Sequence, residues 1–144
     1  MKKTFECKVC YSKQTGEDNP AQVTETYLVE AETPSAAEKA VMDEIAPFVF
    51  GECEVLSIRK RNFWEVVRPD NYGDNFYEAK VEMITIDGDV EKRTGINLLV
   101  QANTLQDAVK ELLDHMRSYD CEMTLVKKSA IVDVLEYEST EDTK

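Results

Sequence analysis

The sequence contains few of the residues on which common catalytic and phosphate-binding motifs depend. It has one histidine and five glycines in 144 residues. Any histidine-based acid-base scheme therefore depends on His115 alone, which we expect to be a solvated helix residue. No P-loop, GxGxxG, GxSxG or HExxH pattern occurs. We therefore predict no catalytic residues, and an enzyme is the less favoured class.

Long apolar runs are also missing. No stretch approaches the roughly 20 residues that cross a bilayer. The opening MKKTFECKVCYSKQ has Glu6 and Lys8 where a secretion signal has its apolar region. We expect an intracellular protein, whose four cysteines are then reduced thiols.

Those cysteines make a weak metal pattern. Cys7 and Cys10 form a CxxC spacing, which a zinc site would have to complete with Cys53, Cys121 or His115. Residues three apart on a strand point to opposite faces, so the two thiols are poorly placed for one ion. We predict no metal and no cofactor.

Positive charge is scarce. The chain has 17 basic and 29 acidic side chains and a formal net charge of -12. This balance argues against general electrostatic binding to nucleic acid or to an anionic membrane. The carboxylates form either an ordinary solvated surface or one that imitates the phosphate backbone of DNA.

An internal repeat is the main feature that is present. The stretch Glu54–Val67, EVLSIRKRNFWEVV, returns as EMTLVKKSAIVDVL at Glu122–Leu135. Read outward, residues 5–67 are copied as residues 77–135. We predict a first repeat at residues 1–67, a linker at 68–75, a second repeat at 76–137 and a flexible acidic tail at 138–144.

Each repeat shows the pattern of two strands, a helix and two strands. Alternating apolar residues begin at Phe5 and again at Tyr77. Thr33 and Thr104 are predicted helix N-caps, and Asp87-Gly88 predicts a tight turn. The predicted fold is α+β, a tandem duplication of a ββαββ unit with antiparallel sheet, one helix per repeat and pseudo-twofold symmetry.

Basic residues occupy matching positions in the two copies. Near a shared groove they can bind a small anion with more than one phosphate, and an aromatic ring can stack on a base. The alternative is that these cations are ordinary exposed charge and that the tryptophan is core. The predicted ligand-binding residues are Arg59, Lys60, Arg61, Trp64, Lys127 and Lys128.

Four stretches carry a family resemblance: FECKVCY, VTETYLVEA, GECEVLSIRKRN and NLLVQANTLQDAVKEL. With these, nearly the whole chain resembles an uncharacterised domain family, a domain of unknown function, of Bacteroidetes bacteria and their phages. The resemblance implies a phage or mobile-element context in the bacterial cytoplasm and a counter-defence role. It assigns no site residues.

Together these observations predict a non-enzymatic binding protein. It would sequester an anionic small molecule such as a nucleotide signal. The alternative is an acidic protein-interaction or DNA-mimic inhibitor of a host protein. We expect no direct contact with nucleic acid or membrane, and a homodimer is an open expectation, since symmetric pairs are the commonest assemblies.

Overall fold

The computed structural model describes residues 3–13, 20–69 and 73–136. Their elements, in order, are β1 (Lys3–Lys13), β2 (Ala21–Ala31), α1 (Pro34–Ile45), a 3-10 turn (Ala46–Phe48), β3 (Val49–Arg61), β4 (Glu65–Val67), β5 (Asn75–Asp87), β6 (Val90–Ala102), α2 (Leu105–His115), β7 (Cys121–Lys128) and β8 (Ile131–Glu136). The predicted α+β class is confirmed. The predicted tail at 138–144 lies outside the described residues.

The chain forms two compact units. Unit 1 comprises Met1–Arg61 and Ile131–Lys144, and unit 2 comprises Asn62–Ala130. The sheet of unit 1 has the strand order β3-β1-β2-β8, and the sheet of unit 2 has the order β7-β5-β6-β4. Each sheet carries one helix on one face, α1 in unit 1 and α2 in unit 2.

Strand alternation and helix periodicity produce the core of each unit as predicted. In unit 1, Phe5, Cys7, Val9 and Tyr11 of β1 are buried beneath α1. The other core residues of this unit are Tyr27, Val29, Ala31, Ala37, Val41 and Ile45. The core of unit 2 contains Val67, Tyr77, Ala79, Val81, Leu98, Val100, Ala102, Ala108, Leu112 and Met116.

Both predicted N-caps are confirmed. The Thr33 side chain accepts a hydrogen bond from the Ala36 amide at 3.1 Å, and Thr104 accepts one from the Asp107 amide at 3.1 Å. Pro34 occupies the first helical position, where its missing N–H costs no hydrogen bond. The caps therefore fix where α1 and α2 begin.

The expectation of antiparallel pairing throughout is wrong for two strands. Strand β8 pairs parallel with β2 in unit 1, and β4 pairs parallel with β6 in unit 2. Strand β4, from the first predicted repeat, thus completes the sheet of β5 and β6. Strand β8, from the second predicted repeat, completes the sheet of β1 and β2. Apolar alternation predicts which face of a strand is buried, but it carries no signal for the neighbour or for the direction. The element order is as predicted, whereas the duplication itself stays a prediction.

Matching bulges interrupt one edge strand of each sheet. In β3, Leu56 is the extra residue, since Val55 lies opposite Val9 and Ser57 lies opposite Lys8. In β7, Thr124 is the extra residue, and its hydroxyl donates a hydrogen bond to the Lys80 carbonyl at 3.2 Å. Such bulges twist an exposed edge and discourage pairing with other strands.

Two glycines have defined structural roles. Gly88 has a φ of 66° in the turn that joins β5 to β6, which confirms the predicted Asp87-Gly88 turn. Gly73 lies so close to Ala102 that a Cβ atom would overlap the Ala102 backbone. Neither helix of the described residues has the length and apolar character needed to cross a membrane.

Candidate functional site: two grooves beside the edge strands

Strand alternation divides the three consecutive basic residues of β3 between two faces. Arg59 and Arg61 lie on the face opposite α1, and both guanidinium groups form ion pairs with the Glu6 carboxylate. Lys60 lies opposite Phe5 of the core, so it belongs to the helix-bearing face. The structure thus brings two of the predicted phosphate ligands together, but they share one carboxylate of their own chain.

The basic residues of β7 follow the same alternation in unit 2. Lys127 lies directly opposite Glu78, and Lys128 lies opposite Tyr77 of the core. Opposite charges across neighbouring strands stabilise a sheet by about 0.2–1 kcal/mol. In both sheets, therefore, a glutamate of the first strand faces a cation of the edge strand. This gives the basic positions a structural reason to be present.

Trp64 precedes β4 in unit 2 and is not a core residue. Its side chain is 44% exposed, so the alternative that placed it in the core is wrong. Its amide donates a hydrogen bond to the Asn97 carbonyl at 2.7 Å. Its ring meets the ring of Tyr119 edge to face, with centroids 5.5 Å apart. Trp64 therefore lies beside the carboxyl end of α2.

A groove of about 620 Å³ lies between α1 and the edge strand β3 in unit 1. Its volume is within the range of about 300–1,000 Å³ that is usual for ligand sites. Three acidic residues, Glu38, Glu52 and Glu54, are among those that line it. None of the three forms an ion pair with the residues described in unit 1. The rest of the lining consists of Cys10, Tyr11, Ser12, Gln22, Met42, Cys53 and Val55.

Tyr11 connects this groove to the half-buried carboxylate of Glu25, whose side chain is 14% exposed. The Glu25 carboxylate accepts hydrogen bonds from the hydroxyls of Tyr11 at 2.7 Å and Tyr27 at 3.0 Å, and from the Lys13 ammonium at 3.1 Å. Burial alone would raise the pKa of Glu25, but the hydrogen bonds from Tyr11, Lys13 and Tyr27 outweigh it and lower the pKa. Burial and the neighbouring carboxylate raise the pKa of both tyrosines. Glu25 is therefore a fixed negative charge beside the groove.

A second groove occupies the equivalent position of unit 2, between α2 and the edge strand β7. Cys121 and Met123 lie opposite Met83 and Val81, just as Cys53 and Val55 lie opposite Tyr11 and Val9. This groove encloses about 170 Å³ and is mostly apolar. Its lining consists of Val81, Leu113, Met116, Arg117, Tyr119, Cys121 and Met123. The two units thus carry equivalent grooves of unlike chemistry.

The polar network of unit 1 has apolar counterparts in unit 2. Counted along the strand registers, the positions of Tyr11, Glu25 and Tyr27 correspond to those of Met83, Ile96 and Leu98. One sheet of this topology therefore forms without the network. The sheet therefore does not need this polar network in order to form.

Two of the four cysteines, Cys7 and Cys53, are not activated nucleophiles. Burial, with the nearby charges of Glu38 and Glu6, raises the pKa of Cys7 to about 11. Burial also raises the pKa of Cys53, with a smaller effect from Cys10, and its thiol lies 3.7 Å from the Met42 sulfur. Both thiols are therefore protonated at neutral pH. Within residues 3–13, 20–69 and 73–136, no three His, Cys, Asp or Glu side chains are grouped closely enough to hold a metal ion.

His115 differs from the expectation of a solvated helix residue. Its side chain is 31% exposed, and its Nε2 lies 2.9 Å from the Glu65 carboxylate of β4. Because this contact joins α2 to the shortest strand of the sheet, His115 has a structural position in unit 2.

Sequence reasoning missed the carboxylates of the acidic groove. With 29 acidic residues, Glu38, Glu52 and Glu54 carry no distinguishing signal. Glu25 does carry one, because it interrupts the apolar face of β2 between Val23 and Tyr27. A charged residue on the buried face of a strand needs hydrogen-bonding partners, and the tyrosines supply them.

Comparison with known proteins gives a single result. No curated protein and no solved structure matches the chain. A family model does match, over residues 3–137, which is nearly the whole sequence. This chain therefore belongs to the family described as Domain of unknown function (DUF4494).

Proposed function

We propose that this chain is a non-enzymatic binding protein whose acidic groove in unit 1 receives a basic segment of another protein. The observation that carries the proposal is the grouping of Glu38, Glu52 and Glu54 around one cavity with no cation paired to them within the residues described in unit 1. Carboxylates that line one groove are well placed to bind ammonium or guanidinium groups.

The charge of the whole chain supports the same partner. A net charge of -12 attracts a basic surface over distances of about a Debye length, roughly 8 Å at physiological ionic strength. Such steering accelerates encounter, and the groove then supplies the specific contacts. This is the acidic protein-interaction alternative from the sequence, with a location assigned to it.

A pair of matched double variants tests the proposal. Glu52→Gln with Glu54→Gln removes two carboxylates from the groove, whereas Asp87→Asn with Asp89→Asn removes the same charge at the β5–β6 turn. We expect the groove variant to bind an oligolysine peptide about 5- to 30-fold more weakly at low salt, from about 0.5–1 kcal/mol for each ion pair lost. The turn variant should change binding less than about twofold. Equal losses in both variants would assign the binding to net charge rather than to the groove.

A second candidate is an anionic small molecule, such as a nucleotide signal, bound at the basic residues of β3. The observation in its favour is that the Arg59 side chain remains 65% exposed although it is paired with Glu6. Isothermal titration with a panel of nucleotides tests it. Arg59→Ala should abolish binding of a nucleotide and leave binding of the peptide unchanged.

We also propose that the chain comes from a Bacteroidetes bacterium or one of its phages, and that it acts on a host protein in the bacterial cytoplasm. This rests on the sequence resemblance. A pull-down from such cells, compared between wild type and the Glu52/Glu54 variant, tests it. A host protein retained by wild type and lost from the variant is the expected result.

The two units, we propose further, arose by tandem duplication of a ββαββ segment with exchange of the last strands. The equivalent edge-strand bulges at Leu56 and Thr124 and the matching N-caps at Thr33 and Thr104 support this origin. A cut between the segments gives a test. Residues 1–67 alone lack β8, so they should fold only when residues 76–137 are added.

A further inference from the structure

We infer that the apolar groove of unit 2 is a self-association site that receives Phe50 from a second copy of the chain. The inference does not depend on the basic partner proposed for unit 1. The groove is small. About 170 Å³ is below the volume of most ligand pockets, but a cavity of about 150 Å³ already holds a benzene ring. One aromatic side chain is therefore the appropriate occupant.

The walls of the groove suit such a ring. Met116, Cys121 and Met123 provide polarisable apolar surface, and sulfur atoms make favourable contacts with aromatic edges. Tyr119 forms one wall, and its ring makes an edge-to-face contact with Trp64. Leu113 is 58% exposed, so part of this surface faces solvent.

The same chain exposes a side chain of the required shape. Phe50 is 60% exposed, more than any other aromatic residue described. It lies where Gly51, with a φ of 85°, and a bulge between the partners of Tyr11 and Ser12 distort β3. The other exposed phenylalanine, Phe48, already has the Lys13 ammonium over its ring at 5.7 Å.

Charges beside the two surfaces select this pairing. Glu52 and Glu54 follow Phe50 on β3, and both are exposed. Arg117 is the one charged residue in the lining of the groove. Docking Phe50 thus brings carboxylates of one copy towards Arg117 of the other.

Sedimentation equilibrium over a dilution series, read together with tryptophan fluorescence, tests the inference. Trp64 is the only tryptophan, and it contacts the wall of the groove. The average mass should rise above 16.4 kDa, the mass of one chain, as the concentration increases. Trp64 emission should change with the same midpoint.

Variants of both surfaces, with one control, identify the contact. Phe50→Ala and Leu113→Glu should each shift the midpoint to at least tenfold higher concentration. Ile86→Ala, at a site 66% exposed and outside the groove, should leave it unchanged. Arg117→Glu should weaken association, and adding Glu54→Arg to it should restore association, which a misfolded variant cannot do. A constant mass of one chain, or a Phe50→Ala protein that associates like wild type, would overturn the inference.

Discussion

Replacing Glu25 by alanine tests the reasoning about the buried network most severely. The substitution removes the acceptor of two tyrosine hydroxyls, and these tyrosines are only 2% and 8% exposed. A buried hydroxyl without a partner costs about 1–3 kcal/mol. Lys13 adds little, since its side chain is 36% exposed and can be solvated. We expect the free energy of unfolding to fall by about 2–6 kcal/mol.

A companion variant tests whether the fold needs the network at all. It replaces the whole network, whereas Glu25→Ala removes one member and leaves its partners unpaired. Tyr11→Met, Glu25→Ile and Tyr27→Leu together install the residues found at the equivalent positions of unit 2. Replacing a whole buried polar group by apolar residues is often neutral. We expect urea unfolding, followed by circular dichroism, to give a stability within about 2 kcal/mol of wild type. A triple variant as unstable as Glu25→Ala would refute the view that the fold does not need the network.

The stability of the protein should also depend on pH through Glu25. The pKa of Glu25 is lowered in the folded protein from an ordinary value of 4.5. A carboxylate with a depressed pKa contributes its full stability above the unfolded value, and the contribution is lost as the pH falls through the folded value. The stability of wild type should therefore fall more steeply below about pH 4.5 than that of Glu25→Gln. Equal slopes for the two proteins would contradict this sign.

Three further predictions concern other parts of the chain. Gly73→Ala should lower the free energy of unfolding by at least about 2 kcal/mol, because the new Cβ overlaps the Ala102 backbone; an unchanged urea midpoint would refute this. Cys7 should remain unmodified when the native protein is treated with iodoacetamide at pH 8, since its pKa is about 11 and it is fully buried, and peptide mass mapping would detect any labelling. Tyr119→Ala should shift Trp64 emission and lower the free energy of unfolding by about 0.5–1.5 kcal/mol, because it removes the ring contact. An identical emission spectrum would mean that the ring contact is absent in solution.

The sequence alone predicts the helices and strands, but it does not predict which strands pair or in which direction. Apolar alternation and the caps at Thr33 and Thr104 predicted the first strands and both helices, because these signals are local. The parallel pairing of β4 and β8 could not be predicted, since a strand of three to six residues carries no information about its neighbour.

The candidate site was predictable only in part. The basic residues of β3 and β7 were identified as a cluster, but alternation separates Lys60 from Arg59 and Arg61, and Glu6 neutralises part of their charge. The acidic groove depends on how α1 lies beside β3, which no local pattern specifies. Glu25 was the one residue with a readable signal, as a charge on the buried face of β2.

The most direct test of the acidic groove is an amide chemical-shift titration of the isotope-labelled chain with an oligolysine peptide. We expect the shifts to be concentrated at Glu38, Glu52 and Glu54 and at the neighbouring amides of α1 and β3, and to diminish as salt is added. Shifts scattered over carboxylates of both units, with no concentration at the groove, would contradict this expectation.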